Sequence, residues 1–185
     1  MNIFKLRLAQ VSVLIFTCCA MGSGIWSFAM EKDADKPLIL DFDEIRDAKD
    51  LINLFNHEAH WLASDSYSPE FMLQYKAPSN DTRYMGKLHI DVCRVNDVFV
   101  GFNSYYMRSP ELGQLFITAV KPEFRGRKYA ENLTRHALEQ MKKMGAKSVQ
   151  VYTRPNNIPS QGGLKHGGFY EIERGDNWVL YNYDL

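Results

Sequence analysis

The sequence predicts a mixed α/β fold, because the periodicity of a strand and that of a helix both occur along it. Between Leu88 and Cys93 apolar and polar residues alternate, as in a β-strand with one covered face. Asn96-Asp97 then favours a hairpin turn into a second strand. Over residues 130–144 apolar residues recur every three or four positions, which predicts a helix with one buried stripe, and Gly145 ends it.

The other elements follow in one order, with no internal repeat and no linker to a second domain. We expect strands over 38–42, 85–95, 98–107, 113–120, 148–154, 169–174 and 177–184, and helices over 44–59, 127–144 and 158–166, with a loop and a short helix over 61–78. Residues 38–185 are therefore expected to form one domain.

The first helix has a predicted cap and a predicted buried face. Either Asp41 or Asp43 can act as its N-cap, and Glu44 is available for a capping box. The apolar residues expected to face the core are Ile45, Ala48, Ile52, Phe55 and Ala59.

The segment at residues 114–130, QLFITAVKPEFRGRKYA, leads from an apolar strand into a basic turn that opens the long helix. Arg125, Arg127 and Lys128 lie at the positive end of the helix dipole, where a helix ordinarily favours acidic residues. Free backbone N–H groups, the flexible Gly126 and three cations are suited to a phosphate or pyrophosphate. A solvated basic turn is the alternative.

This segment resembles the acetyl-CoA signature of the GNAT acyltransferases, in which a strand leads through V-x-P-x-x-R-G into R/Q-x-x-G-x-G/A at a helix start. The matching residues are Val120, Pro122, Arg125, Gly126 and Ala130, and Lys128 stands where the motif has glycine. The resemblance implies a mostly antiparallel central sheet with flanking helices, and acetyl-CoA as co-substrate.

In that family the backbone amides of the turn hold the CoA pyrophosphate, and the end of the preceding strand pairs with pantetheine. By resemblance, the cofactor-binding residues are Thr118, Ala119, Val120, Arg125, Gly126, Arg127, Lys128, Tyr129 and Ala130. A second match is a short strand from Ser148, then Asn157, then Gly168-Phe169. It implies that Asn157 contacts the cofactor near pantetheine; a turn residue beside Pro155 is the alternative.

The resemblance implies direct attack of an amine on the acetyl thioester, but it leaves the catalytic residues unknown. A common glutamate base falls at Gln114, and a common tyrosine acid falls at Leu164; neither side chain can supply these roles. Ordered water or another side chain could then transfer the proton. The candidate side chains are those of His89, Tyr105, Tyr106, Glu111, Tyr152 and His166. His89 is expected on an exposed strand face, and His166 on a solvated helix.

No metal site is expected from the sequence. His57 and His60 are three residues apart rather than four, and no third ligand is evident. Cys93 is the only cysteine outside the N-terminal segment, and a buried thiol is its expected state. The formal charge is zero, and the 22 basic residues less Lys5 and Arg7 leave 20 against 22 acidic ones, which suggests no nucleic-acid partner.

The N-terminus resembles a secretory signal peptide over residues 1–29. Lys5 and Arg7 precede uncharged residues from Leu8 to Met30, and the segment ends Ser27-Phe28-Ala29. An uncleaved anchor, with membrane association through residues 8–30, is the second interpretation. Translation from Met30 would instead leave a cytoplasmic protein. Residues 30–37 are expected to be a polar tether.

The main hypothesis is an acetyl-CoA-dependent N-acetyltransferase that acts on a small-molecule or protein amine. A non-catalytic CoA-binding module and an exported interaction domain are the alternatives, motivated by the missing acid and base and by the N-terminal segment. The sequence does not determine the acyl acceptor or the oligomeric state.

Overall fold

A computed structural model of the protein describes residues 36–61, 68–73 and 85–185. The predicted signal peptide or anchor, most of the tether and most of the loop after Trp61 lie outside the described residues. Among the described residues, no helix is both long and apolar enough to cross a membrane.

The described residues form strands and helices close to the predicted ones. The strands are β1 (Leu38–Asp41), β2 (Met85–Val95), β3 (Val98–Ser109), β4 (Leu112–Val120), β5 (Ser148–Thr153), β6 (Tyr170–Arg174) and β7 (Val179–Asp184). The helices are α1 (Glu44–Glu58), α2 (Pro69–Leu73), α3 (Tyr129–Lys143) and α4 (Ile158–His166), with short 3₁₀ turns at Ala59–Trp61 and Pro122–Phe124.

The described strands form one sheet in the order β1-β2-β3-β4-β5-β7-β6. Only β4 and β5 are parallel among these neighbours, and α3 provides their crossover. Apolar residues of α1 and α2 pack on one face of the sheet, and those of α3 and α4 pack on the other. The predicted mixed, mostly antiparallel sheet with flanking helices is confirmed.

Helix α1 begins as predicted, but its predicted buried stripe is confirmed only at Phe55. Asp43 is the N-cap and accepts a hydrogen bond from the Arg46 N–H. Asp47 rather than Glu44 completes the reciprocal cap, since its Oδ2 accepts from the Asp43 N–H at 3.0 Å. Ile45 is fully exposed. The residues that α1 buries are Asp47, Leu51, Leu54, Phe55 and Glu58.

Charge pairing sets this rotation of α1. Arg94 of β2 donates to Asp47 Oδ1 at 2.7 Å, and Arg46 donates to the same carboxylate. These bonds allow a carboxylate to be buried where apolar periodicity predicts a hydrophobic residue. They also hold the pKa of Asp47 below its usual value, despite the opposing effect of burial, which is the largest single influence.

Strand β2 is covered on both faces, contrary to the predicted half-covered strand. Leu88, Ile90 and Val92 pack with α1, as the alternation predicts. However, α3 covers the other face, where Asp91 and Cys93 are also buried. Burial raises the pKa of the Cys93 thiol to about 11, so the thiol stays protonated at neutral pH. The expected buried thiol is confirmed.

Candidate functional site

Strands β4 and β5 separate partway along their length, which opens a cleft in the sheet. Their register pairs Leu112 with Ser148 and continues only to Leu115 opposite Val151, whereas β4 extends to Val120. The last five residues of β4 therefore have no β5 partner. Thr118 is exposed between the buried Ile117 and Ala119, as expected beside an opening.

A β-bulge lies where the two strands part. Tyr105 of β3 pairs with Leu115 and Ser104 pairs with Ile117, so Phe116 is an extra residue in β4. Ser104 Oγ accepts a hydrogen bond from the Ile117 N–H at 3.2 Å. The bulge turns both Phe116 and Ile117 toward the α1 face. Thr118 points instead to the α3 face, where it bonds Asn103 at 3.0 Å.

The turn after β4 presents the first turn of α3 without a side-chain cap. Gly126 has φ 76° and Lys128 has φ 63°, so both lie in the left-handed region, and the side chain of Lys128, the N-cap residue, makes no capping hydrogen bond. The first α-helical hydrogen bond runs from the Asn132 N–H to the Lys128 carbonyl. The N–H groups from Tyr129 to Glu131 thus precede the helix ladder, an arrangement that favours an anion. Because Lys128 is left-handed, α3 begins at Tyr129 and not at the predicted residue 127.

The predicted cations of this turn do not all point the same way. Arg125 turns back to α1, where its Nη2 lies 2.6 Å from Glu58 Oε1, and its Nε donates to the Val120 carbonyl at 3.1 Å. Arg127 stacks over the Phe124 ring at 5.9 Å. Lys128 and Ala130 are exposed, whereas Tyr129 is buried against Phe124.

Strand β5 forms the other side of the cleft, and the chain continues from its end to Asn157. Because β4 and β5 are parallel, their C-terminal ends lie at one edge of the sheet, and Asn157 follows the end of β5 by four residues. Asn157 is the N-cap of α4, and its Oδ1 accepts a hydrogen bond from the Ser160 N–H at 3.2 Å. All the sequence-predicted cofactor residues, namely 118–120, 125–130 and Asn157, thus lie at this edge.

The candidate acid and base residues fall in four different places. Tyr106 and Tyr152 lie on the sheet face opposite α3, near the cleft, and Tyr152 packs edge-on against Trp178. His89 and Tyr105 stack on each other at 5.3 Å on the α3 face. Glu111 lies in the β3–β4 turn and pairs with Lys147. The remaining candidate, His166, is exposed at the end of α4, as expected.

His89 lies beside the buried side chain of Asp91, in a separate pocket of about 560 Å³ between α3 and strands β1 to β3. Its side chain is only partly exposed, contrary to expectation, and desolvation lowers its pKa. Burial raises the pKa of Asp91 to about 6, while His136 and a hydrogen bond with Tyr105 lower it. Burial likewise raises the pKa of the Tyr105 hydroxyl, which remains protonated. No group of three or more His, Cys, Asp or Glu side chains in the described ranges could hold a metal ion.

Arg108 is a polar residue near the cleft that sequence reasoning missed. Its Nη1 donates to Gln150 Oε1 of β5 at 3.1 Å, on the sheet face opposite α3. A single arginine at the end of the aromatic strand VFVGFNSYYMRS was the only sequence signal for it.

The sequence profile described as "Acetyltransferase (GNAT) family" matches residues 48–169. Mycothiol acetyltransferase from Corynebacterium glutamicum is 31% identical over 74 residues, which are 40% of this chain and 25% of that protein. The chain therefore spans about a quarter of the length of this curated relative.

Solved structures share the fold at low identity. The PaiA N-acetyltransferase of Thermoplasma acidophilum, solved in complex with coenzyme A, has a TM-score of 0.66 and 17% identity, covering 81% of this chain and 99% of that one. The ribosomal-protein-S18-alanine N-acetyltransferase of Escherichia coli has a TM-score of 0.61 and 15% identity, covering 81% and 94%. With a family profile that covers well over half of its length, the chain belongs to the acetyltransferase (GNAT) family.

Proposed function

We propose that this protein transfers the acetyl group of acetyl-CoA to an amine. One observation carries the proposal: the cleft between β4 and β5 opens at the same edge of the sheet as the uncapped first turn of α3. A ligand that is both extended and phosphate-bearing would use both features. Acetyl-CoA has this shape, with a pyrophosphate at one end and a thioester at the other.

The residues present fit such a ligand. The N–H groups at residues 129–131 and the exposed cation of Lys128 suit a pyrophosphate. The backbone of residues 118–120, which has no β5 partner, can pair with the amides of pantetheine as a strand would. The Arg125 guanidinium is paired with Glu58 of α1, so its contribution to a pyrophosphate site would come from its backbone N–H.

The reaction needs an amine nitrogen to attack the thioester carbonyl in the cleft, with CoA as the leaving thiol. The protein would orient the two reactants and manage one proton, which the amine loses and the thiolate gains. Gln114 can accept a hydrogen bond but no proton at neutral pH, and Leu164 can do neither. Tyr106 and Tyr152 are the candidate proton carriers nearest the cleft, with ordered water as the other route.

Calorimetry of acetyl-CoA binding to the full chain tests the proposal. Lys128→Glu should weaken binding at least about tenfold, because it places a negative charge beside the expected pyrophosphate. Lys142→Glu makes the same charge change at the other end of α3 and should leave affinity within about twofold. Absence of binding by the wild-type protein, or equal affinity in both variants, would contradict the proposed site.

A non-catalytic CoA-binding module is the second candidate, since Gln114 and Leu164 replace the ionisable residues that the family resemblance leads one to expect. It predicts acetyl-CoA binding without thiol release in the presence of any amine. An exported interaction domain predicts no acetyl-CoA affinity.

We further propose that residues 1–29 direct export or anchor the protein in a membrane. The motivating pattern is an uncharged, largely apolar segment after Lys5 and Arg7. Cell fractionation of the full chain and of a protein starting at Met30 tests this proposal. Identical distribution of the two proteins would count against it.

A further inference from the structure

A row of polar and aromatic side chains crosses the sheet on the face opposite α3. The strand registers place its members side by side on β3, β4, β5, β7 and β6. The row consists of Tyr106, Gln114, Gln150, Asn182 and Tyr170. It passes through Gln114, one residue before the position where β4 and β5 separate. Asn182 Nδ2 donates to the Tyr170 hydroxyl at 2.8 Å, so the far end of the row is already hydrogen-bonded.

Gln114 has an unused hydrogen-bond acceptor at this position. Gln114 is only 3% exposed, and its Nε2 donates a hydrogen bond to the Leu115 carbonyl at 2.9 Å. Its Oε1 is buried and has no hydrogen-bond partner in the described part of the chain. Buried polar atoms are nearly always satisfied in folded proteins, so an unsatisfied oxygen one residue before the point where β4 and β5 separate indicates a missing donor. An amine that enters the cleft is such a donor.

Arg108 supplies a positive charge at Gln150, the neighbouring member of the row. Met107 pairs with Gly113 and Ser109 with Leu112, so Arg108 is an extra residue whose bulge redirects its side chain over β5. Its hydrogen-bond partner is the neutral Gln150 Oε1, and none of the ion pairs among the described residues includes Arg108. Gln150 and Gln114 are opposite each other on neighbouring strands, about 4.8 Å apart, so the residue that Arg108 contacts is the direct cross-strand neighbour of Gln114.

We propose that this row binds the acyl acceptor, with its amine on Gln114 Oε1 and a carboxylate on Arg108. The acyl acceptor is then a small amino acid, with amine and carboxylate separated by a few bonds. This inference rests on the proposed acetyl transfer. In the reaction the amine nitrogen forms a bond to the acetyl carbon as the carbon–sulfur bond breaks, and the proton lost by nitrogen ends on the CoA thiol.

The charge pattern separates this class from other amines. A polyamine would bring a second cation toward Arg108, which is unfavourable. The N-terminus of a protein has an amide where an amino acid has its carboxylate, so it would leave the guanidinium with a neutral partner. A carboxylate can accept two parallel hydrogen bonds from the guanidinium fork, which is the strongest match available to it.

The test compares each of a set of L-amino acids with its own carboxamide, using the full chain and acetyl-CoA. Thiol release and mass spectrometry of the N-acetyl product give kcat and KM. The wild-type protein should favour the acid by at least about tenfold in kcat/KM. Arg108→Gln should remove that preference by raising KM for the acid, with kcat changed less than about threefold. Arg135→Gln, which alters an exposed arginine of α3, should keep the preference.

A second variant isolates Gln114. Gln114→Leu removes the unused oxygen and should lower kcat/KM for acid and carboxamide alike, leaving their ratio unchanged. Circular dichroism and acetyl-CoA affinity show whether each variant is folded.

Equal or faster turnover of carboxamides or of short peptides by the wild-type protein would overturn the proposal. So would a preference for acids that persists in Arg108→Gln. If acetyl-CoA binds but no compound in the set is acetylated, the amino-acid inference fails and cofactor binding stands. If acetyl-CoA does not bind, the proposed function and this inference fail together.

Discussion

Arg125 Nη2 lies 2.6 Å from Glu58 Oε1, and this ion pair joins the turn before α3 to the last turn of α1. Lys121, at the start of the same turn, forms a second pair with Asp50 of α1 at 2.9 Å. The two pairs hold the basic turn against α1. The Arg125 side chain therefore points toward α1 and away from the N-terminus of α3. The arginine of the motif therefore positions the turn in this protein.

Arg125→Glu should destabilise the protein, because it places a carboxylate against the largely buried Glu58. We expect a loss of about 1–2 kcal/mol in the free energy of unfolding, measured by urea denaturation. Combining it with Glu58→Lys should recover much of that loss by reversing the pair. If the losses of the two single variants simply add in the double variant, the ion pair contributes nothing to stability.

Lys128→Gly should stabilise the start of α3. The φ of 63° at Lys128 is in the left-handed region, which costs a non-glycine residue about 1 kcal/mol and costs glycine little. The variant should gain about 0.5–1 kcal/mol in thermal or urea unfolding. Lys128→Val should lose stability, since a branched side chain tolerates this conformation less well. Equal stability of the two variants would rule out backbone strain at this position.

Asn157→Asp separates the capping role of this side chain from cofactor contact. Aspartate caps a helix as well as asparagine, so the free energy of unfolding should stay within about 0.5 kcal/mol. Asn157→Ala, in contrast, should lose about 1 kcal/mol. If Asn157 also contacts acetyl-CoA, the added negative charge of the aspartate should weaken binding severalfold in calorimetry. Unchanged affinity in Asn157→Asp would leave it as a cap alone.

Asp91→Asn should change how stability depends on pH. Burial raises the pKa of Asp91 to about 6, so the folded state favours the protonated carboxyl. The protonated Asp91 carboxyl contributes its full stabilisation below the pKa that Asp91 has in the unfolded chain. This contribution is lost as the pH rises through about 6, the pKa in the folded protein. His136, Tyr105 and Asp41 line the same pocket as Asp91 and also influence its pKa.

Relative to Asp91→Asn, the wild-type protein should therefore lose up to about 3 kcal/mol between pH 4 and pH 7.5 in urea unfolding. The exposed Asp176 provides a matched control, since Asp176→Asn should follow the wild-type profile. Parallel wild-type and Asp91→Asn profiles would show that the carboxyl titrates normally.

Local patterns of the sequence predict most of the fold. The hairpin at Asn96-Asp97, the strand before Lys121 and the long helix after it are all encoded within windows of about fifteen residues. Periodicity fails where polar residues are buried, because it ranks residues by hydropathy. Asp47 and Asp91 are both buried, and hydropathy alone would expose both.

The sequence by itself determines the element order, the basic turn at residues 125–130 and membership of the family, since each depends on residues near one another in the chain. Only the tertiary structure decides that Arg125 faces Glu58, that Gln114 keeps an unsatisfied oxygen, and that Arg108 reaches Gln150. Arg108 and Gln150 are 42 positions apart and meet because the α3 crossover places β5 parallel to β4. Such contacts depend on strand order and register, which no local pattern specifies.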